Sequence, residues 1–238
     1  MGRAFELRKG RKMKRWSAMA KTFTRIGKDI VMAIKDGGPN PDTNSRLRAV
    51  MQNAKAVNMP KDNVERAIKK AADKDTSNYK EALFEGYAPH GIAVVVETAT
   101  DNNNRTVANV RAVFNKCNGN LGTSGSVIFM FDRVCNFTVK KEDITVDLEE
   151  LELELIDFDV EEVFNDDEGI IIYAPFEQFG SIQSYFEENN VEILSSGFER
   201  IPTTTSGLSE EQQADVEKLL EKLEEDDDVQ NVYHSMVM

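Results

Sequence analysis

The sequence predicts a multidomain α+β protein, an N-terminal three-helix bundle followed by two α+β domains, the last ferredoxin-like and inserted in the middle one. Three observations carry this expectation. In the first third of the 238-residue chain apolar residues recur every three or four positions, whereas short β-branched runs alternate with helical stretches after it. The later elements contain one β-α-β-β-α-β series, the split-βαβ order. A helix and a strand are then left over at the C-terminus, and they can bury themselves only by returning to an earlier sheet. The expected boundaries are 1–75 for a basic arm and helical bundle, 76–131 plus 205–238 for a discontinuous middle domain, and 132–204 for the ferredoxin-like domain.

The elements follow in order. Trp16, Ala20, Phe23, Ile26, Ile30 and Ile34 lie on one helical face. That helix should end at Gly37-Gly38, with the first glycine in the left-handed cap and Pro39 blocking its resumption. A second helix starts near Asn44, turns Leu47, Val50, Met51, Ala54 and Val57 inward, and gives way at Asn58. Pro60 opens a third, with Asp62 and Glu65 spaced as a capping box and Val64, Ala67, Ile68 and Ala71 as its apolar stripe. After a change of composition at 76–80, residues 91–96 read as a buried strand, 101–106 as a polar turn, 107–117 as a helix and 126–131 as a strand, close to a βαβ unit. The ferredoxin-like series is 136–140, 148–156, the hairpin 160–164 and 169–173, 176–188 and 191–201. A Thr/Ser-rich linker leads to a helix over 209–225 with Ser209 as N-cap. The last strand, 229–237, should complete the unit begun at 81–131.

Charge divides the chain. The whole carries 29 Lys and Arg against 42 Asp and Glu, a net of −13, yet residues 1–75 hold 19 against 8, or +11, and the remainder 10 against 34, or −24. A basic module on an acidic body points to a polyanionic partner met by the front third. Within it, Arg3, Arg8, Lys9, Arg11, Lys12, Lys14, Arg15, Lys21, Arg25 and Lys28 form an arm interspersed with Phe5 and Trp16, and Arg46, Arg48, Lys55, Arg66, Lys69 and Lys70 lie on the second and third helices. Each such cation set against a phosphate releases condensed counterions, so these are the candidate nucleic-acid contacts. The junction at 58–61 also fits a helix-turn-helix, but Asn and Gln are scarce on the third helix's exposed face, where base reading would use them. Backbone or shape recognition is the expectation.

The run Asp101-Asn102-Asn103-Asn104-Arg105 has two readings, a helix cap or a loop that meets RNA or protein. Gly119 to Gly125 lacks the Lys-Ser/Thr of a phosphate loop and runs toward a strand, so it reads as turn geometry. Acidic stretches at 147–162 and 221–228 read as solvated faces that keep the body off polyanions. Cys117 and Cys135 form no CxxC spacing, His90 and His234 have no catalytic partner in local sequence, and no apolar run reaches membrane-spanning length. These features predict a cytoplasmic, non-enzymatic protein with no cofactor, metal, membrane or small-molecule substrate.

Several segments together resemble the YebC/PmpR family of bacterial and organellar regulators. They are Gly37-Gly38-Pro39-Asn40-Pro41 with Asn44 and Arg46-Leu47-Arg48, the stretch from Ala54 to Lys70, Thr100 to Thr106, and Gly119 to Val127. The resemblance implies three domains, the third inserted in the second, and no catalytic centre. It further implies a probable DNA-binding transcriptional regulator, or, as for other members including mitochondrial relatives, a translation factor acting with ribosomal or transfer RNA on the ribosome. A protein-binding scaffold built on the acidic module is the third reading. The opening Gly2 to Lys9 departs from the family's commoner His-Ser-Lys-Trp start.

Overall fold

A computed structural model describes residues 19–72 and 78–237. The fold is α+β: helices first, then two four-stranded sheets. Among the described residues the chain forms two compact units, one from 29–72 and 133–201, the other from 19–28, 78–132 and 202–237.

The helix α1 (Met19–Gly37), whose residues from 29 onward belong to the first unit, buries Ile30, Val31, Met32, Ala33 and Ile34 in succession before an exposed end at Lys35, Asp36 and Gly37. The left-handed residue that closes it is Gly38, at φ +83°, one position later than the sequence suggested. Gly37 has a different role: a Cβ there would lie 2.7 Å from the side chain of Asn44. That side chain joins two helix ends. Its amide donates to the carbonyls of Ala33 (2.7 Å) and Gly38 (2.8 Å), and its Oδ1 accepts from Leu47 N–H as the N-cap of α2, Ser45–Ala56. The helix α3 (Lys61–Ala72) begins two residues earlier than a capping box would require. Asp62 therefore sits inside the first turn, where its charge meets the positive helix end, and Glu65 pairs with Lys61 instead.

Asparagine also terminates helices. At Asn58, Asn118 and Asn190, with φ of 56°, 56° and 57°, the chain takes the left-handed conformation. At each, the following N–H reaches back to close a Schellman motif: Met59 to Ala54, Gly119 to Phe114, Val191 to Phe186.

The first unit's sheet has the order β5-β6-β4-β7, from β4 (Phe131–Val139), β5 (Glu162–Asp166), β6 (Gly169–Pro175) and β7 (Ile193–Pro202). With α5 (Leu148–Glu154) and α6 (Phe179–Glu188) between strands, this is the ferredoxin-like arrangement. Phe137, Ile172, Leu151, Leu155, Ile182 and Phe186 fill the core between sheet and helices. The edge strand β7 is not left bare: Asn53 of α2 donates to Ser196 O and accepts from Ser196 N–H, at 2.6 and 2.9 Å, imitating a neighbouring strand.

In the second unit the order is β3-β1-β2-β8, from β1 (Lys80–Tyr87), β2 (Ala93–Thr100), the two-residue β3 (Asn120–Leu121) and β8 (Val229–His234). Every pairing with β1 or β2 is antiparallel, so the expected βαβ unit is absent. The segment read as a strand at 126–131 is a loop and a 3₁₀ turn, and β4 starts only at Phe131 and runs through the stretch read as a separate strand. The helices α4 (Asn103–Lys116) and α7 (Glu210–Glu224) cover one face, packing Val110, Phe114, Val216, Leu219 and Leu223 on Val94 and Val96. Val127, Phe131 and Tyr233 cover Ala93 and Val95 on the other. The C-terminal strand returns as expected, with Val95 opposite Tyr233, and Ser209 caps α7 in a full capping box.

Candidate nucleic-acid interface

Helix α3 offers the candidate cations that stand most clearly outward. Val64 and Ala71 are buried, while Arg66, Lys69 and Lys70 are exposed, and spacings of three and four place these on one face. Arg66 Nη2 donates to Asn63 Oδ1 at 3.3 Å, which occupies the nearest amide oxygen that could have read a base. Beyond the exposed carboxylates Asp62 and Glu65 one turn earlier, the face presents cations without an open amide oxygen, suited to phosphates rather than base edges.

The cations of α2 are held by acids of the same unit. Arg48 makes two contacts to the Glu187 carboxylate, 3.2 and 3.3 Å, and donates to the carbonyls of Pro41 and Asp42. Lys55 lies 2.9 Å from Glu192, and that hydrogen bond, with the charge of Lys140 behind it, holds the Glu192 carboxyl below the usual carboxylate range. Arg46 pairs with Asp36. Lys55 and Arg46 remain exposed at the surface, where an ion pair is worth only about 0–1 kcal/mol.

In the second unit the candidates Lys21, Arg25 and Lys28 serve the fold. Lys21 Nζ and Arg25 Nη2 both donate to Glu224 O, the negative end of α7, and Arg25 Nε reaches Val229 O at 3.1 Å. Lys28 is only 7% exposed, and its ammonium meets Ala99 O (2.9 Å), Asp227 O (2.7 Å) and Asp228 Oδ1 (3.0 Å), with the Tyr79 ring 5.0 Å away. It has no donor to offer a phosphate. Arg3, Arg8, Lys9, Arg11, Lys12, Lys14 and Arg15 lie outside the described residues.

The polar run at 101–105 caps α4. Asn102 Oδ1 accepts from Arg105 N–H at 3.1 Å, and Arg105 bridges Asp101 (3.0 Å) and Asp228 (2.7 Å). Asn103 and Asn104 face outward. Behind the cap lies a polar node that the sequence did not reveal. Asp228, 3% exposed, accepts from Lys28, Arg105, Thr100 and Thr106. Burial alone would raise its pKa, but the hydrogen bonds from Arg105, Lys28 and Thr106 outweigh that and draw it down to about 2. The only local signal is that this last acid of an acidic run directly precedes the apolar Val229.

Glu85 is the second buried acid, 3% exposed on β1. It accepts three backbone N–H bonds, from Gly125 (2.7 Å), Val127 (2.8 Å) and Ile128 (2.8 Å), and so fixes the glycine-rich loop from within. The loop's N–H groups are thereby turned onto a carboxylate of the protein itself, which agrees with the turn reading and not with a phosphate cradle. His90 has a partner remote in sequence, Asp215 Oδ2 at 3.0 Å, in a turn where its φ is +63°. Among the described residues there is no group of His, Cys, Asp and Glu able to hold a metal ion, and no helix is long and apolar enough to cross a membrane.

Comparison with known proteins agrees with this architecture. Residues 3–74 match the family described as the TACO1/YebC protein N-terminal domain, and residues 79–236 match the TACO1/YebC second and third domain. A Flavobacterium johnsoniae protein named "probable transcriptional regulatory protein" is 75% identical over 236 residues, 99% of each chain. A Parabacteroides distasonis protein of the same name is 60% identical over 99% of this chain and 97% of its own. The crystal structure of a conserved hypothetical protein from Aquifex aeolicus, 40% identical, superposes with a TM-score of 0.75 over 91% of this chain and 89% of that one. Two family matches that together span nearly the whole sequence, and a solved structure of the same fold, place this chain in the TACO1/YebC family.

Proposed function

We propose that this protein is a non-enzymatic regulator that binds nucleic acid through its basic N-terminal third, 1–75, with DNA in transcriptional control as the leading target. In this reading 76–131 with 205–238, and 132–204, are domains that support the basic one and do not contact the phosphates. The observation that carries the reading is the outward face of Arg66, Lys69 and Lys70 in the part of the chain with 19 Lys and Arg against 8 Asp and Glu. The names of the relatives from Flavobacterium and Parabacteroides support regulation as the role. A cytoplasmic location follows from that role. RNA on the ribosome is the second reading, favoured by the scarcity of amides on α3, whose Asn63 is engaged by Arg66, since cations without open amides recognise backbone and not a duplex sequence.

Salt-dependent binding tests the proposal. Fluorescence anisotropy with a labelled DNA duplex and a structured RNA, across a salt series, should give a log–log slope that falls by about 1 for each phosphate-contacting cation removed. Replacing Arg66, Lys69 and Lys70 together by Ala should weaken binding to every sequence alike. Unchanged affinity and slope, both in this variant and after removal of residues 1–18, would overturn the proposal.

A further inference from the structure

We propose that Arg133, Phe176 and Phe198 form a stacking seat for an unpaired nucleobase on the ferredoxin-like module. The inference rests on the nucleic-acid reading above but concerns residues outside the basic third. Arg133 lies near the start of β4, and strand alternation puts it on the same side of the sheet as Cys135 and Phe137. Its guanidinium carbon is 3.5 Å from the centroid of the Phe176 ring and 5.7 Å from that of Phe198. The guanidinium therefore rests on a ring face.

The seat is rigid because its rings are tied to the core. Buried Phe137 stacks on Phe179 with centroids 5.0 Å apart, Phe179 meets Phe198 at 4.8 Å, and Phe198 meets Phe176 at 4.8 Å. Four rings thus run from the interior to the guanidinium, each limiting the next. Phe198, the third ring of the series, is 40% exposed.

Arg133 itself is exposed, and among the described residues its side chain makes no hydrogen bond or ion pair. This is not for want of carboxylates, because residues 133–201 hold 19 Asp and Glu against 4 Lys and Arg. The stack holds the guanidinium away from them and leaves its N–H donors open. A planar ligand matches such a group: its face stacks on the side of the guanidinium turned away from Phe176, and the in-plane N–H donors stay open to acceptors beside it on the same strand.

A nucleobase has that form. Bases in continuous duplex are already stacked on each other, so the seat requires a single strand, loop or bulge. The acidity of the module agrees with this, because it repels a phosphate backbone lying along the surface while admitting a base that is splayed away from its phosphate. Screening over about 8 Å at physiological salt limits the remaining repulsion.

The full chain can be tested by anisotropy with a labelled single-stranded RNA, a single-stranded DNA of matching sequence, and the corresponding DNA duplex. Arg133→Ala and Phe198→Leu should each weaken binding of at least one single strand by about tenfold, with the duplex affected less than about twofold. Phe198→Leu keeps apolar volume at a partly exposed position, and thermal unfolding confirms that both variants fold. Which single strand responds identifies whether RNA or DNA supplies the base. If the wild type binds a single strand and both variants bind it equally well, the seat is refuted while the basic third retains its role. If the wild type binds none of the three probes, the broader reading fails and the seat with it.

Discussion

Asp228→Asn removes one charge from the centre of the second unit while keeping the side chain's shape. Its carboxylate accepts from Lys28, Arg105, Thr100 and Thr106, and Lys28 is almost wholly enclosed. Breaking a buried pair by neutralising one member costs about 3–5 kcal/mol, because the other charge stays buried. Lys28 keeps the carbonyls of Ala99 and Asp227, so about 3 kcal/mol is the expected loss. The pH dependence has a definite sign. The folded carboxyl, at about 2, lies below its ordinary value of 3.8, so its contribution is complete above the unfolded value and is lost as pH falls from about 5 toward 2. The shift corresponds to at most about 2 kcal/mol, reduced because the Arg105 side chain is 48% exposed and its bond is screened by solvent. Hydrogen exchange suits a chain with two units, since the amide of Ala99 donates to Asp228 O and reports the node directly. Exchange at Ala99 should accelerate in Asp228→Asn and, in the wild type, the opening free energy should shrink between pH 5 and 3. Adding Lys28→Met should recover part of the loss, because the stranded cation is gone. A variant that loses less than about 1 kcal/mol, or a double variant no better than the single, would refute the node.

Two further expectations concern the first unit. Gly37→Ala should destabilise the protein by about 1–3 kcal/mol in thermal or urea unfolding, although alanine is the better helix former by about 1 kcal/mol, because the new Cβ meets Asn44 at 2.7 Å and disturbs the hydrogen bonds that join α1 to α2; a more stable variant would refute this account of the Gly-Gly pair. Cys135 is fully buried and its burial pushes the thiol up to about 12, so the native protein at pH 8 should leave it unalkylated by iodoacetamide, with modification appearing only on unfolding; rapid labelling seen by peptide mass analysis would contradict the packing.

Much of the fold was legible because its signals are local. Asn44 and Ser209 stand immediately before apolar periodic runs, and both cap the helices they announce. The βαββαβ order survives errors of several residues at each boundary. β1 was illegible because Glu81 and Glu85 interrupt its apolar pattern, and Glu85 is tolerated inside only through N–H groups about 40 residues further on. β4 was read in pieces since the charged Asp132 and Arg133 interrupt its apolar pattern, and Arg133 is accommodated only by the rings of Phe176 and Phe198, remote in sequence. The capping box at Asp62 had the right spacing and the wrong start, because Pro60 offers its carbonyl to both Asn63 and Val64 and the helix opens at Lys61. Whether a candidate cation is open or enclosed was not legible, because it depends on partners such as Asp228 for Lys28 or Glu187 for Arg48, 200 and 139 residues distant. Arg133, Phe176 and Phe198 are likewise brought together only by the sheet.

The division of charge along the chain therefore overstates the surface available to phosphate. Lys28 is enclosed, Arg48 is held by a carboxylate and two carbonyls, and Lys21 and Arg25 serve the end of α7. Arg66 and Lys69 stand outward, while Lys55 sits in a surface pair with Glu192. Such a pair contributes about 0–1 kcal/mol, so a phosphate can displace Glu192 at small cost, whereas no polyanion can draw out Lys28 without leaving Asp228 buried and unpaired. Exchange has a thermodynamic mark of its own. A lysine that leaves a carboxylate for a phosphate frees the carboxylate to gather cations again, so it releases fewer net counterions than an unpaired lysine, for which the slope changes by about 0.9. Glu192→Gln should then tighten nucleic-acid binding at low salt and steepen its salt dependence, while Glu187→Gln, whose partner Arg48 keeps two carbonyls, should change both less. The acids of the ferredoxin-like module would thus set how many cations of α2 a nucleic acid can recruit, a control on affinity that net charge alone does not express.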